Sequence, residues 1–463
     1  MTNSPGRGWG RLDWRVGLAL VVCASLSACR TRPLGASAWD DGAPVTGSTR
    51  DGSTTGTDGP ATDPTRDGST THGDPSDAGG MVDGGAHSDD GGAPRMCASD
   101  GAGRPLRIFP GGGAGYTLAP AQRLNVYPGD FEQVVLGDVT GDGRADIVGE
   151  DLDKTWIFPQ RPDGSLDVPV ILSHGFGNPP VVALLLADAD QTLDLVVSSW
   201  MGIDVIQSLG GGAFAAANHI ATGVGSMMVA DLNRDGHDDL VVPSADGIVM
   251  LFGNGAGALV NRQILTNSAG KLGNAMAMGD VTGDHVPDLL AASHTTATTL
   301  VIVPHDGISG LSPTGWTTLK LPGDGISGFA VGDLNGDGLL DLVAQDDNLN
   351  YDVRTRLLLG GANGFTAPVE IARHKYGGAV VVADANADGR DDVAVVHAGG
   401  FEIGLVLSTA SGVGPHRTYA VPTAASVASH SLAVGDVDCD GCPDVVTTNV
   451  DGLVIFHGVG CGP

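Results

Sequence analysis

The residues in this chain best suited to chemistry lie in a nine-residue pattern with oxygen side chains at alternating positions. It occurs in full at residues 138–146 (DVTGDGRAD), 231–239 (DLNRDGHDD), 280–288 (DVTGDHVPD), 333–341 (DLNGDGLLD), 384–392 (DANADGRDD) and 436–444 (DVDCDGCPD), with a shortened copy at 188–194 (DADQTLD). Positions 1, 3, 5 and 9 offer carboxylates, carboxamides or hydroxyls, and position 7 can add its main-chain carbonyl. Hard oxygen donors without a histidine or thiolate pattern suit Ca²⁺ rather than Zn²⁺. Several aspartates within nine residues repel one another unless a cation sits among them. Position 6 is usually Gly, because a sharp turn there needs φ > 0. The expected ligand sets are Asp138, Thr140, Asp142, Arg144 and Asp146; Asp231, Asn233, Asp235, His237 and Asp239; Asp280, Thr282, Asp284, Val286 and Asp288. The remaining three are Asp333, Asn335, Asp337, Leu339 and Asp341; Asp384, Asn386, Asp388, Arg390 and Asp392; Asp436, Asp438, Asp440, Cys442 and Asp444. In each set the fourth residue named contributes only its backbone carbonyl.

The seven loops are unequal. The last has four carboxylates and should bind most firmly. The fourth pairs Thr282 with His285 in the turn position and should be the weakest of the six. The second is two residues too short to place Asp188, Asp190 and Asp194 at positions 1, 3, 5 and 9, so it should stay empty. About six structural Ca²⁺ sites are therefore expected, each stapling a hairpin. A catalytic metal is disfavoured, because the protein would fill the coordination sphere. An EF-hand needs Glu at position 12 between two helices; position 12 here is Val242 or Ala344, inside an apolar run. A dockerin would place two helical copies close together, and is rejected on the same grounds.

These loops need a scaffold, and the spacing supplies it. The first aspartates are separated by 50, 43, 49, 53, 51 and 52 residues. Each copy is preceded by a short apolar run, such as 329–333, and followed by two more, such as 342–344 and 356–359. Gly-rich turns and a weaker fourth run, such as 368–372, complete the unit. Four short strands in about 50 residues make one propeller blade. No segment sustains a helical period through so much glycine. The expectation is an all-β fold, a seven-bladed β-propeller of four-stranded blades over residues 97–463. At this point the residues resemble FG-GAP/VCBS repeats, the blades of integrin α-type propellers. The resemblance covers about residues 104–461 and implies calcium loops on one face, with ligands on the opposite face or at blade junctions. Loops on that opposite face would include Trp200 and Met201, and residues 127–131, 294–298, 348–352 and 374–376. The N-terminal segment 106–126 supplies two strands, although blade seven needs only one.

The first 28 residues read as a secretory signal. Arg7, Arg11 and Arg15 precede an eleven-residue apolar stretch, 16–26, which is too short to span a bilayer. It ends in Leu26-Ser27-Ala28-Cys29, which resembles a bacterial lipobox and implies a diacylated Cys29 at the mature N-terminus. Arg30 in place of Asp favours the outer membrane or cell surface, by family analogy. Residues 29–96 form an expected disordered tether: from 30 to 95, 47 of 66 residues are Gly, Pro, Asp, Ser or Thr. Such a segment cannot bury enough apolar area to offset its ordering entropy. A coil of that length reaches about 45 Å.

Beyond Cys29 the cysteines are Cys97, Cys439, Cys442 and Cys461, an even number in an oxidising compartment. Cys439 with Cys442 could brace the last loop, and Cys97 with Cys461 could lock the ring. A formal charge of −30 argues against a nucleic-acid partner. Neither GxSxG, HExxH nor a P-loop is present, and the 13 histidines show no ligand spacing. The chain therefore reads as a non-enzymatic, monomeric binding, adhesion or scaffold module for a protein partner. The alternatives are a lectin-like glycan binder and, further off, a polysaccharide lyase.

Overall fold

The computed structural model describes residues 115–461, apart from 125–130, 175–180, 222–225, 267–271, 348–351, 398–400, 423–430 and shorter breaks at 152, 191, 200–201, 245–246, 294–295, 362–363, 376, 410–411 and 450–451. The signal segment, the tether and the expected strand at 106–109 lie outside these residues.

Seven four-stranded antiparallel sheets follow one another along the chain, and no helix occurs among the described residues. They occupy residues 133–173, 181–220, 228–265, 272–320, 325–375, 380–420 and 432–456. We number them blades 1 to 7. Blade 1 runs in order through Gln133–Gly137, Asp146–Glu150, Lys154–Phe158 and Val170–Ser173. The first strand of each blade touches the first strand of the next. The ring closes because Leu432–Gly435 of blade 7 touches Gln133–Gly137 of blade 1.

Position in the blade explains composition. Second strands are covered on both faces by neighbouring blades, so they read as continuous apolar runs: Leu240, Val241 and Val242 are fully buried. Fourth strands face solvent and alternate or turn polar, as in Thr317–Lys320. Every second strand begins on the last aspartate of its motif: Asp146, Asp194, Asp239, Asp288, Asp341, Asp392 and Asp444. The motif is thus the connection between the two inner strands of each blade.

Ring closure settles the surplus N-terminal strand. Blade 7 takes its outermost strand from the other end of the chain: Gln122–Leu124 pairs antiparallel with Leu453–Ile455. Thr117–Leu118 instead forms a separate two-stranded ladder with Gly458–Val459. Tyr116, fully buried, donates its hydroxyl to the Pro443 carbonyl (2.8 Å), while Arg417 of blade 6 donates to the Tyr116 carbonyl (2.9 Å). The N-terminal segment therefore ties blade 7 to blade 6 as well as completing it.

Cysteine pairing differs from both arrangements read from the sequence. Cys442 is bonded to Cys461, with α-carbons 5.2 Å apart. This ties the last motif loop to the residue after the Gly458–Val459 strand. Cys439 is also disulfide-bonded, and Cys97 lies outside the described residues.

Candidate metal loops

In each full loop the position-1 aspartate gathers the turn around itself. Asp333 accepts from the amides of Gly336, Asp337 and Gly338 at 2.7, 3.1 and 2.8 Å. Asp138 does the same with Gly141, Asp142 and Gly143, and Asp280 with Gly283, Asp284 and His285. Position 3 Asn takes the amide of position 5, as in Asn233 with Asp235 (2.9 Å), Asn335 with Asp337 and Asn386 with Asp388. Position 5 takes the amide of position 7, for example Asp440 from Cys442 at 2.7 Å. These amides curl the oxygen side chains inward, the arrangement an oxygen-bound cation needs.

The turn uses left-handed backbone twice, not once. Position 6 has φ 85–90° where it is Gly143, Gly236, Gly338, Gly389 or Gly441, and His285 is held at 67°. Position 4 is also left-handed, and there Arg234, Ala387 and Cys439 adopt φ of 59–61° in place of glycine. The strain expected at His285 is present, because a Cβ in this region clashes with its own backbone.

Position 9 has a role the sequence did not reveal. Both carboxylate oxygens are committed to backbone amides within the blade. In blade 3, Asp239 Oδ2 accepts from Leu232 (2.8 Å) and Asn233 (3.3 Å), and Oδ1 from Gly253 (2.8 Å). The same two-sided clamp joins the motif to the end of the third strand at Asp146, Asp288, Asp341, Asp392 and Asp444. Asp194 of the shortened loop makes it too, with Ala187 and Ser208. Burial pushes these carboxyls up, to about 7 at Asp146, Asp194 and Asp239 and about 8 at Asp392, against the amides that pull them down.

The loops also carry the blade-to-blade contacts. Blade 2 donates from Ser208 and Gly211 to the carbonyls of Val139 and Thr140 in the first loop. Gly257 of blade 3 donates to Ala187 (2.8 Å), and Asp391 of blade 6 to Asp333 (3.0 Å). His305 of blade 4 meets the Leu232 carbonyl at 2.5 Å. Position 8 supplies two reverse ties: Asp238 accepts from Leu186 of blade 2, and Asp391 from Asp333 of blade 5. Sequence reasoning passed over position 8. The doubled aspartates of DGHDD and DGRDD were the available signal.

The loops differ in their fitness for a cation. In the last one, donor oxygens of Asp436, Asp438 and Asp440 all lie within 4.8 Å of one another. Asp436 Oδ1 is buried and accepts no hydrogen bond, so the oxygen donors fit a hard cation. His457, which the sequence did not flag, adds a nitrogen 3.0 Å from Asp438 and 3.4 Å from Asp444. These two carboxylates raise its pKa to about 10. In the first and sixth loops Arg144 and Arg390 turn back to pair with Asp142 and Asp388. In the shortened loop Asp188 takes an amide proton from Gln207 (2.7 Å) and Asp190 one from Thr192 (2.8 Å).

Of the loops expected opposite the motifs, residues 127–130, 200–201, 294–295, 348–351 and 376 lie outside the described residues. Trp200, Met201, Tyr127 and Tyr376 are among them. Phe131 is buried against Trp156 and Phe158, and Asp352 pairs with Arg373 and Arg354. The large apolar side chains that are exposed among the described residues are aliphatic, including Val168, Leu209, Ile308 and Val369. On the motif face a groove of about 730 Å³ runs between blades 3 and 4, lined by Asn233, Asp235, Phe252, Arg262 and Ile308 among others.

Comparison with known proteins agrees with this architecture. A family model described as "FG-GAP-like repeat" matches residues 231–291 and 333–395, which hold the third to sixth motifs except for the spacer between. No curated protein matches the chain. Among solved structures, BBS1N in complex with ARL6DN aligns at 14% identity over 74% of this chain and 96% of that one, with TM-score 0.51. A second crystal of that complex gives 14%, 73%, 96% and 0.50. A structure on recognition of non-reducing terminal N-acetylglucosamine by an Agrocybe aegerita lectin aligns at 16% over 69% and 85%, with TM-score 0.49. At 14% identity the likeness to the BBS1N complexes is one of fold. Over the matched residues the chain carries FG-GAP-like repeats, and these lie within a seven-bladed β-propeller.

Proposed function

We propose that the chain is a lipid-anchored, extracytoplasmic binding or scaffold module whose propeller is stiffened by Ca²⁺ in six motif loops. The observation that carries this reading is the place of the loops in the ring. Each motif loop is clamped inside its own blade, and most are hydrogen-bonded to a neighbour. Bound Ca²⁺ would be held by the side chains of one loop, and that loop's hydrogen bonds to the next blade would carry the stiffening around the ring. Bound Ca²⁺ would supply charge compensation for Asp at positions 1, 5 and 9, and the chain's amides would hold those oxygens in place. A protein partner is our preferred reading over a glycan, since the large apolar side chains exposed among the described residues are aliphatic. We assign no catalytic role to the loops.

Thermal unfolding tests the calcium reading. Sites with Kd near 10⁻⁴ M are each worth about 2.7 kcal/mol at a hundredfold excess of Ca²⁺. Excess chelator should therefore lower Tm by about 10 °C or more; an unchanged Tm refutes the reading. Among single variants, Asp440→Ala should lose the most calcium-dependent stability, Asp284→Ala less and Asp190→Ala almost none. Loss of a bound ion in Asp190→Ala would overturn the assignment of the shortened loop. Glycan-array binding by the domain from residue 97, without protein capture, would favour the lectin alternative.

The anchor is proposed from the Leu26-Ser27-Ala28-Cys29 sequence. Mass spectrometry of the mature protein should find an acylated Cys29 at its N-terminus. A non-acylated start elsewhere would remove the anchor and the outer-membrane assignment with it.

A further inference from the structure

Three histidines separated widely in sequence meet at the junction of blades 5 and 6. His374 lies on the outer strand of blade 5, Val369–Lys375. His397 ends the second strand of blade 6, Asp392–His397, and His416 immediately precedes that blade's outer strand, Arg417–Ala420. The His374 and His397 rings stack with centroids 3.9 Å apart, and the His416 ring meets His397 edge-on at 5.1 Å. His397 is only 2% exposed. Its Nε2 and the Nε2 of His416 are both buried, and neither has a hydrogen-bond partner. A buried nitrogen left without a partner is costly unless something binds it.

The two nitrogens lie close to one point beside Gly404. A β-carbon on Gly404 would lie 2.4 Å from His416 Nε2 and 2.8 Å from His397 Nε2, so they are at most about 5 Å apart. Only glycine leaves that approach open. On the far side of the ring, a Glu402 oxygen sits 3.8 Å from His397 Nδ1. At that distance it is a neighbouring charge rather than a hydrogen-bond partner. Burial, with His374 and His416 alongside, pulls the His397 pKa down to about 3, so a proton does not compete for the ring's lone pair at neutral pH.

We propose that His397 and His416 form a transition-metal site, of the Zn²⁺ or Cu²⁺ class, distinct from the oxygen-lined motif loops. Imidazole nitrogens favour these ions over Ca²⁺. N–metal bonds of about 2.0–2.1 Å require the two nitrogens to lie within about 4.2 Å of each other, at least about 1 Å inside their widest separation, and rotation of the half-buried His416 ring would supply that movement. His374 stacks on His397 and holds its plane; its own Nε2 is engaged near Gln345 and Thr355. The site would brace the second strand of blade 6 against its outer strand.

The test uses the protein with its motif loops saturated with Ca²⁺, titrated with Zn²⁺ by calorimetry, and with Cu²⁺ followed by electron paramagnetic resonance. One Zn²⁺ equivalent should be bound that is at least tenfold weaker in His416→Ala, and the Cu²⁺ spectrum should show two coordinated nitrogens that this variant reduces. His416 is only half-buried, so the variant should fold, which an unchanged Ca²⁺ stoichiometry would verify. Gly404→Ala should weaken Zn²⁺ as well by filling the approach. Zn²⁺ binding and Cu²⁺ spectra identical in wild type and His416→Ala would overturn the proposal, and would leave the calcium reading untouched.

Discussion

Asp194→Ala should destabilise the propeller by about 3–5 kcal/mol, even in excess chelator. Asp194 is fully buried, and its oxygens accept from Ala187 (2.9 Å) and Ser208 (2.7 Å). Truncation strands two buried amides, each worth about 1–3 kcal/mol, and leaves a small cavity. The shortened loop lacks the full ligand set, so a loss of stability here measures the clamp and not metal ligation. Asp194→Asn is the sharper control. It keeps the volume, but its single carbonyl can satisfy only one side, and its amide nitrogen must face an N–H on the other. Asn should therefore recover no more than half of the loss. Denaturant melts of the two variants in chelator decide it. An Asn variant as stable as wild type would mean that shape alone matters at position 9.

A chain beginning at residue 131 should fail to give a soluble monomer, whereas one beginning at residue 97 should melt cooperatively. The shorter chain loses Gln122–Leu124, the partner of Leu453–Ile455. It also loses Thr117–Leu118 and the buried Tyr116, with its ties to Pro443 and Arg417. What remains is a ring whose last blade ends on the apolar strand Gly452–Phe456, buried along its whole length in the intact protein. An unpaired apolar edge of that kind recruits other chains. Size-exclusion chromatography and a thermal scan of the two chains are sufficient. A monomer from residue 131 melting within a few degrees of the longer chain would show that closure contributes little.

The disulfide acts on the same seam. Cys442–Cys461 joins the last motif loop to the segment that Thr117–Leu118 pairs with. Two covalent and non-covalent ties therefore converge on blade 7, the one blade that no continuous stretch of chain completes.

Sequence alone determined the blade count, the strand order within a blade and the residues of the motif loops. The reason is locality: Asp231 to Asp239 lie within one hairpin, and their turn is dictated by glycine and by side chains reaching amides two to five residues away. A pattern repeated seven times then fixed the architecture, since four short strands per unit cannot bury their faces except against the next unit. Tertiary structure decided everything that depends on distant partners. The position-9 aspartates read as ligands, yet their oxygens are also held by amides across the blade, such as Gly253 for Asp239. Asp238 and Asp391, at a position the motif reading passed over, tie adjacent blades. The pairing of Cys442 with Cys461, and the split of the N-terminal segment between two ladders, follow from ring closure, which no local pattern encodes. His374, His397 and His416 had no spacing to connect them. They meet because consecutive blades bring an outer strand of one against the second strand of the next.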